Sequence, residues 1–120
     1  LGRFDIAYAH GVYYHTSSPF HFMEKLCRLS NTVFVGGWCA TTHHPRGESK
    51  EWVYEGETYK GQVYYEPHHF LSGIQSTSVY LEAESLRNFF QVRGFKTTDV
   101  SVESSDDVTG EFVRIFAEKN

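Results

Sequence analysis

Cysteine is scarce. Cys27 and Cys39 are the only two, and they form no CxxC pair. That excludes a disulfide framework of the small secreted type and a thiolate zinc site. One falls in an expected helix and the other at an expected strand end, so the chain reads as a cytoplasmic protein with two reduced thiols. Positive charge is not in excess either: 11 Lys and Arg stand against 15 Asp and Glu, for a net charge of −4. A free-standing DNA binder carries the opposite balance. An RNA acceptor or a small molecule held in a local cleft is not excluded by it. No apolar run approaches the roughly 18 residues that a membrane span requires, and no signal peptide is evident. A GxGxxG turn is absent, as are the HxH and HExxH spacings of metal sites.

Aromatic residues are plentiful: ten Phe, eight Tyr and two Trp make 17% of 120 residues. Rings of this size let one domain, 1–120, build a core and leave some over to line a pocket. Residues 4–10 are mostly apolar and read as a strand buried on both faces. Ser17 or Ser18 then caps a helix with Pro19 at its first position. Phe20, Met23, Leu26, Cys27 and Leu29 recur at helical spacing up to Ser30-Asn31. Residues 32–38 form a second short strand, β-branched and bounded by turn residues. Strand, helix and strand in this order make a right-handed βαβ crossover with parallel strands.

Residues 41–76 differ in character. They predict a β-hairpin of 51–54 and 62–65 with a longer loop, flanking Gly56 and Gly61. The segment is expected as an excursion over the mouth of a site rather than as core. A helix over Glu82–Arg93 follows, with Leu81, Leu86, Phe89, Phe90 and Val92 apolar and Gly94 as its stop. Strands over 99–104, with Val100 and Val102 on one face, and over 112–117 close the chain as an antiparallel hairpin. The fold class is α/β. A buried strand at residue 4 needs neighbours on both sides, so the chain reads as the second half of a larger unit.

Tyr13-Tyr14-His15 places phenols and an imidazole at the carboxyl end of a parallel strand, where open α/β sheets bind ligands. The alternative is that the tyrosines pack and the histidine caps a helix. Asp5 reads as structural. Trp38, Trp52, Tyr54, Tyr64, Tyr65 and Tyr80 either wall a substrate or a sulfonium, or pack across strands. Trp38 and Tyr80 are the better substrate candidates. Arg46, Lys50, Arg87 and Arg93 each meet an anionic substrate or are solvated surface charges. His43-His44 and His68-His69, with His10 and Glu66, lack ligand spacing, so no metal is expected. Neither cysteine has a base at catalytic spacing.

The run Phe4-Asp5-Ile6 through Gly11-Val12-Tyr13-Tyr14-His15, with Pro19 beyond, resembles the fourth strand and following loop of class I S-adenosylmethionine-dependent methyltransferases. Helix 19–29 and strand 32–38 resemble the next crossover of that family. Ser78-Val79-Tyr80-Leu81, Ser85-Leu86 and Gly94-Phe95 resemble its segment before and through the last helix, and the closing strands its antiparallel end hairpin. The nearest subgroup is the wobble-uridine tRNA methyltransferases and their small-molecule relatives. The resemblance implies a partial Rossmann-like methyltransferase sheet in the order 4-5-7-6, lacking the N-terminal cofactor-binding strands. Gly36-Gly37 follows the wrong strand to replace the missing Gly-rich turn.

What the resemblance implies for the site is S-adenosylmethionine as the family's cofactor. It implies cofactor contacts at His10, Gly11 and Tyr13, catalysis by His15 and Tyr14, and substrate contacts at Trp38, Tyr80 and Arg46. Two functions are expected from this. The chain is either the substrate-side portion of a methyltransferase, inactive alone and holding little or no cofactor itself, or a non-catalytic dimeric assembly module. In both, the edge of strand 4–10 is the expected contact for a second copy or a missing N-terminal half.

Overall fold

Short-range capping signals set the first crossover. In the computed structural model, which describes residues 4–11, 13–15, 18–40, 48–65, 77–104 and 110–120, strand β1 (Ala7–His10) leads to a 3-10 turn (Tyr13–His15), helix α1 (Pro19–Leu29) and strand β2 (Thr32–Ala40). Ser18 is the N-cap, and its hydroxyl accepts from the His21 N–H at 3.5 Å, with Pro19 in the first turn. Ser30 ends the helix as its C-cap. Its buried hydroxyl donates to the Asp5 carbonyl and accepts from the Thr32 N–H, each at 3.0 Å. One serine thus ties the helix end to the entries of both strands. β1 and β2 pair in parallel from Ala7–Val33 to His10–Gly36, as a βαβ unit requires.

Strands β6 (Phe95–Ser104) and β7 (Gly110–Lys119) complete a four-stranded sheet in the order β1-β2-β7-β6, with β7 antiparallel to both its neighbours. This is the expected 4-5-7-6 arrangement. β6 starts at Phe95 rather than at 99, and a bulge between Asp99 and Ser101 interrupts its register. Val100 and Val102 do not make a core face: they are 57% and 47% exposed. A bulge adds a residue to one strand and turns the side chains around it.

The excursion forms a second sheet, β3 (Glu48–Tyr54), β4 (Glu57–Tyr65) and β5 (Thr77–Leu81). Its first hairpin is tighter than expected. Glu55 and Gly56 alone form the turn, at φ of 50° and 84°, the paired positive values of a type I′ turn. Gly61 lies inside β4 opposite Leu81, where a Cβ would sit 2.3 Å from the Tyr80 carbonyl oxygen. Leu81 accordingly belongs to β5 and not to the helix. Helix α2 spans Ala83–Gln91, and Val92 beyond it is 45% exposed. Gly94, at φ 88°, follows as the stop.

One core joins both sheets. Ala7, Ala9, Val33, Val35, Val113, Ile115 and Ala117 line one face of the large sheet, covered by Phe20, Met23 and Leu26 of α1 and by Leu86, Phe89 and Phe90 of α2. Tyr59 from β4, fully buried, packs its ring 5.2 Å from that of Phe20. The hairpin is therefore part of the core, not only a cover. The other face differs from the expectation of a strand buried on both sides. Tyr8 is 65% exposed and its ring stacks 5.2 Å from that of Phe34. Among the described residues no helix is long and apolar enough to cross a membrane.

Candidate functional site

The carboxyl end of β1 is where the chain leaves the sheet. Gly11, at φ 74°, donates its N–H to the Gly36 carbonyl at 2.7 Å and redirects the backbone over β2. The rings of Tyr13 and Tyr14 then lie on Gly37, where an added Cβ would fall 2.5 Å and 3.2 Å from them. Only the absence of a side chain at Gly37 admits this packing. Tyr13 is fully buried. Its hydroxyl donates to the Trp38 carbonyl, accepts from the Leu81 N–H at 3.2 Å, and lies 3.8 Å from Cys39 Sγ. β1 stops opposite Gly36, so the phenol takes the place of the next strand partner for Trp38.

That position decides its chemistry. Burial, with Cys39 beside it, holds the Tyr13 phenol well above its usual range, so it stays protonated. Burial likewise pushes the Cys39 thiol up to about 12 and the Cys27 thiol up to about 11. Both cysteines are free, and neither is a thiolate nucleophile near neutral pH. Tyr13, expected at the cofactor, lies in the core with no exposed surface.

Tyr14 continues the turn. It meets Tyr13 edge-on at 5.3 Å and stacks on Tyr80 at 5.0 Å with an interplanar angle of 26°. Tyr80 faces Gln62 across the β4–β5 ladder. Strand alternation puts Ser49, Glu51, Lys60 and Gln62 on that same face. Together with Lys50, Gly61, Ala40, the last residue of β2, and Glu82, which bridges to it, they line a cleft of about 320 Å³. Gln62 is only 4% exposed. Further along β5, the buried Ser78 hydroxyl has no hydrogen-bond partner among the described residues.

The expected site residues divide between two faces. Tyr14 and Tyr80 meet on the helix-bearing side. His10 and Trp38 lie on the other, their rings 5.0 Å and 5.3 Å from that of Phe112. An added Cβ at Gly36 would fall 2.8 Å from the His10 ring. Gly36 and Gly37 thus make room for rings on opposite sides of the sheet. His15 ends the 3-10 turn, and its side chain lies outside the described set, as does Arg46. His43, His44, Glu66, His68 and His69 also lie outside it, and among the described residues no group of His, Cys, Asp and Glu converges as a metal site. Of the cleft residues, Lys50 is among the cations named from sequence, whereas Ser49, Glu51, Lys60, Gln62 and Glu82 were not singled out as substrate contacts. Their polar alternation is visible there, but their nearness to Tyr80 depends on a strand pairing that spans residues 66–76.

No protein-family model and no curated protein matches the chain. Solved structures do. The N-terminal domain of EvdMO1 with SAH bound superposes with a TM-score of 0.72 at 18% identity, over 99% of this chain and 48% of that one. The same domain in the presence of SAH and D-fucose gives 0.72 and 18%, over 100% of this chain and 49% of the other. The chain spans about half the length of the solved chains it matches. At this identity the likeness is one of fold, and the fold is that of a domain solved with SAH.

Proposed function

We propose that this chain is the substrate-side portion of an S-adenosylmethionine-dependent methyltransferase of the wobble-uridine type or its small-molecule relatives. The observation that carries the reading is the β1-β2-β7-β6 order, with β1 and β2 parallel and β7 reversed between β2 and β6, in a fold shared with an SAH-bound domain. The cofactor supplies an electrophilic methyl group on a sulfonium. This chain fits it on one side: Gly11, in a left-handed backbone conformation, leaves close backbone approach free at the carboxyl end of β1, with His10 beside it. A Gly-rich turn to hold the rest is absent from the sequence. Methyl transfer is mostly alignment, so the acceptor is held by the polar cleft near the Tyr14–Tyr80 pair. His15 or Tyr14 takes the acceptor proton. Calorimetric titration with S-adenosylhomocysteine tests this. Micromolar binding supports it, and no heat at millimolar ligand rules out a cofactor site within this chain.

A second reading, a dimeric assembly module, is favoured by the edge of β1. Phe4, Ile6 and Tyr8 are 55%, 50% and 65% exposed, and β1 has no partner on its outer side among the described residues. Open apolar edges invite pairing with another strand. Sedimentation equilibrium showing only monomer at tens of micromolar would sink this reading.

A further inference from the structure

We infer that the cleft at the end of β2 accepts a small, uncharged, polyhydroxylated molecule rather than a nucleic acid. The inference rests on the methyltransferase reading for the chemistry that follows, but not for binding itself. Size is the first ground. About 320 Å³ is at the lower end of the roughly 300–1,000 Å³ of small-molecule sites. It is the size for a single ring.

Hydrogen-bonding character is the second. Each hydroxyl of a polyol both donates and accepts. The cleft offers the Glu51 and Glu82 carboxylates as acceptors, the Lys60 ammonium as donor, and Gln62 and Ser49 as both. Gln62 is buried, so its side chain is already ordered before a ligand arrives.

Charge is the third ground, and it separates the two acceptor classes. A phosphodiester chain binds where several Lys or Arg replace its counterions. Here Lys50 and Lys60 stand against the Glu51 and Glu82 carboxylates, so the lining carries no net charge. A lining without net positive charge gives a polyanion no attraction and suits a neutral ligand.

The experiment is saturation-transfer NMR on the 120-residue chain with methyl α-D-glucopyranoside as probe. Transfer to the ring protons is expected, and Glu51→Ala and Gln62→Ala should each weaken binding about tenfold, the loss of one hydrogen bond to a charged or buried group. Glu51 is exposed, so its variant keeps the test valid should Gln62→Ala disturb folding. Val53→Ser on the same hairpin, 74% exposed, should leave transfer unchanged. Absence of transfer overturns the inference. So does transfer that survives in both alanine variants, or displacement of the glycoside by oligouridylate. Glycoside binding without S-adenosylhomocysteine binding keeps the cleft assignment and rules out a cofactor site within this chain. The reverse result does the opposite.

Discussion

Replacing Tyr13 with Phe removes one oxygen from the point where the two sheets meet. That hydroxyl is bonded to the Trp38 carbonyl at the end of β2 and to the Leu81 N–H at the end of β5. Neither partner has an obvious substitute. β1 has ended before it reaches Trp38. On β5, the neighbouring Glu82 N–H bonds to the Lys60 carbonyl at 2.8 Å, so the ladder to β4 is made by the adjacent pair. Phe therefore leaves a buried donor and a buried acceptor unsatisfied, each costing about 1–3 kcal/mol. Water can relieve part of this, so we expect a loss of about 2–4 kcal/mol. Against a typical total of about 5–15 kcal/mol this is a large fraction. The ring itself stays, so no cavity adds to the cost. Urea unfolding followed by tryptophan fluorescence should show a midpoint lower by about 1–2 M, with an unchanged slope. A midpoint within about 0.3 M of the parent would refute the bridging role.

Stability should also fall at alkaline pH, beginning near pH 9. The unfolded Cys39 thiol ionises around 9.0, whereas in the fold burial raises it to about 12. A raised thiol contributes stability that is present below the unfolded value and is lost as pH rises from about 9 towards 12, at about 1.4 kcal/mol per unit for one group. Cys39→Ala should flatten that slope in urea titrations at pH 8–10.5, and an unchanged slope would point elsewhere. Gly37→Ala drives a methyl group to 2.5 Å from the Tyr13 ring and should cost at least about 1–3 kcal/mol, read as a lower thermal midpoint. The Arg93 guanidinium lies 3.7 Å from the Phe89 ring centroid, donates to the Phe89 carbonyl at 3.0 Å and pairs with the half-exposed Glu55 at 3.0 Å. Arg93→Ala should therefore cost about 1–2 kcal/mol, mostly as lost packing, and little of it should vanish at high salt.

Elements marked by short-range signals were legible in the sequence. Ser18 and Pro19 open α1, Ser30 closes it, and Gly94 follows α2. These are local conflicts over backbone hydrogen bonds, settled within a turn of chain. The parallel crossover followed from the order of apolar runs, and the reversed last strand from its closeness to β6. The hairpin's true turn was present in the sequence as Glu55-Gly56, but Gly61 looked equally like a breaker. Only its pairing with Leu81 reveals a glycine required by close strand approach.

The composition of the site was not legible. The family resemblance puts Tyr13, Tyr14, His10 and Trp38 at one ligand-facing site. Which face each takes depends on strand register: Gly37 receives the tyrosines on one side of the sheet while Gly36 makes room for His10 on the other. Nor does sequence give the cleft, because Gln62 and Tyr80 meet across a ladder whose strands are separated by residues 66–76. By itself the sequence determined helices α1 and α2, the parallel pair β1 and β2 and the closing antiparallel hairpin, since those choices rest on neighbours along the chain; it did not give β5 or the first residues of β6. The tertiary structure alone decided that Tyr13 is sealed into the core, that the hairpin joins it, and that polar residues of β3 and β4 face Tyr80. Those outcomes depend on distances between segments remote in sequence, which no local preference encodes.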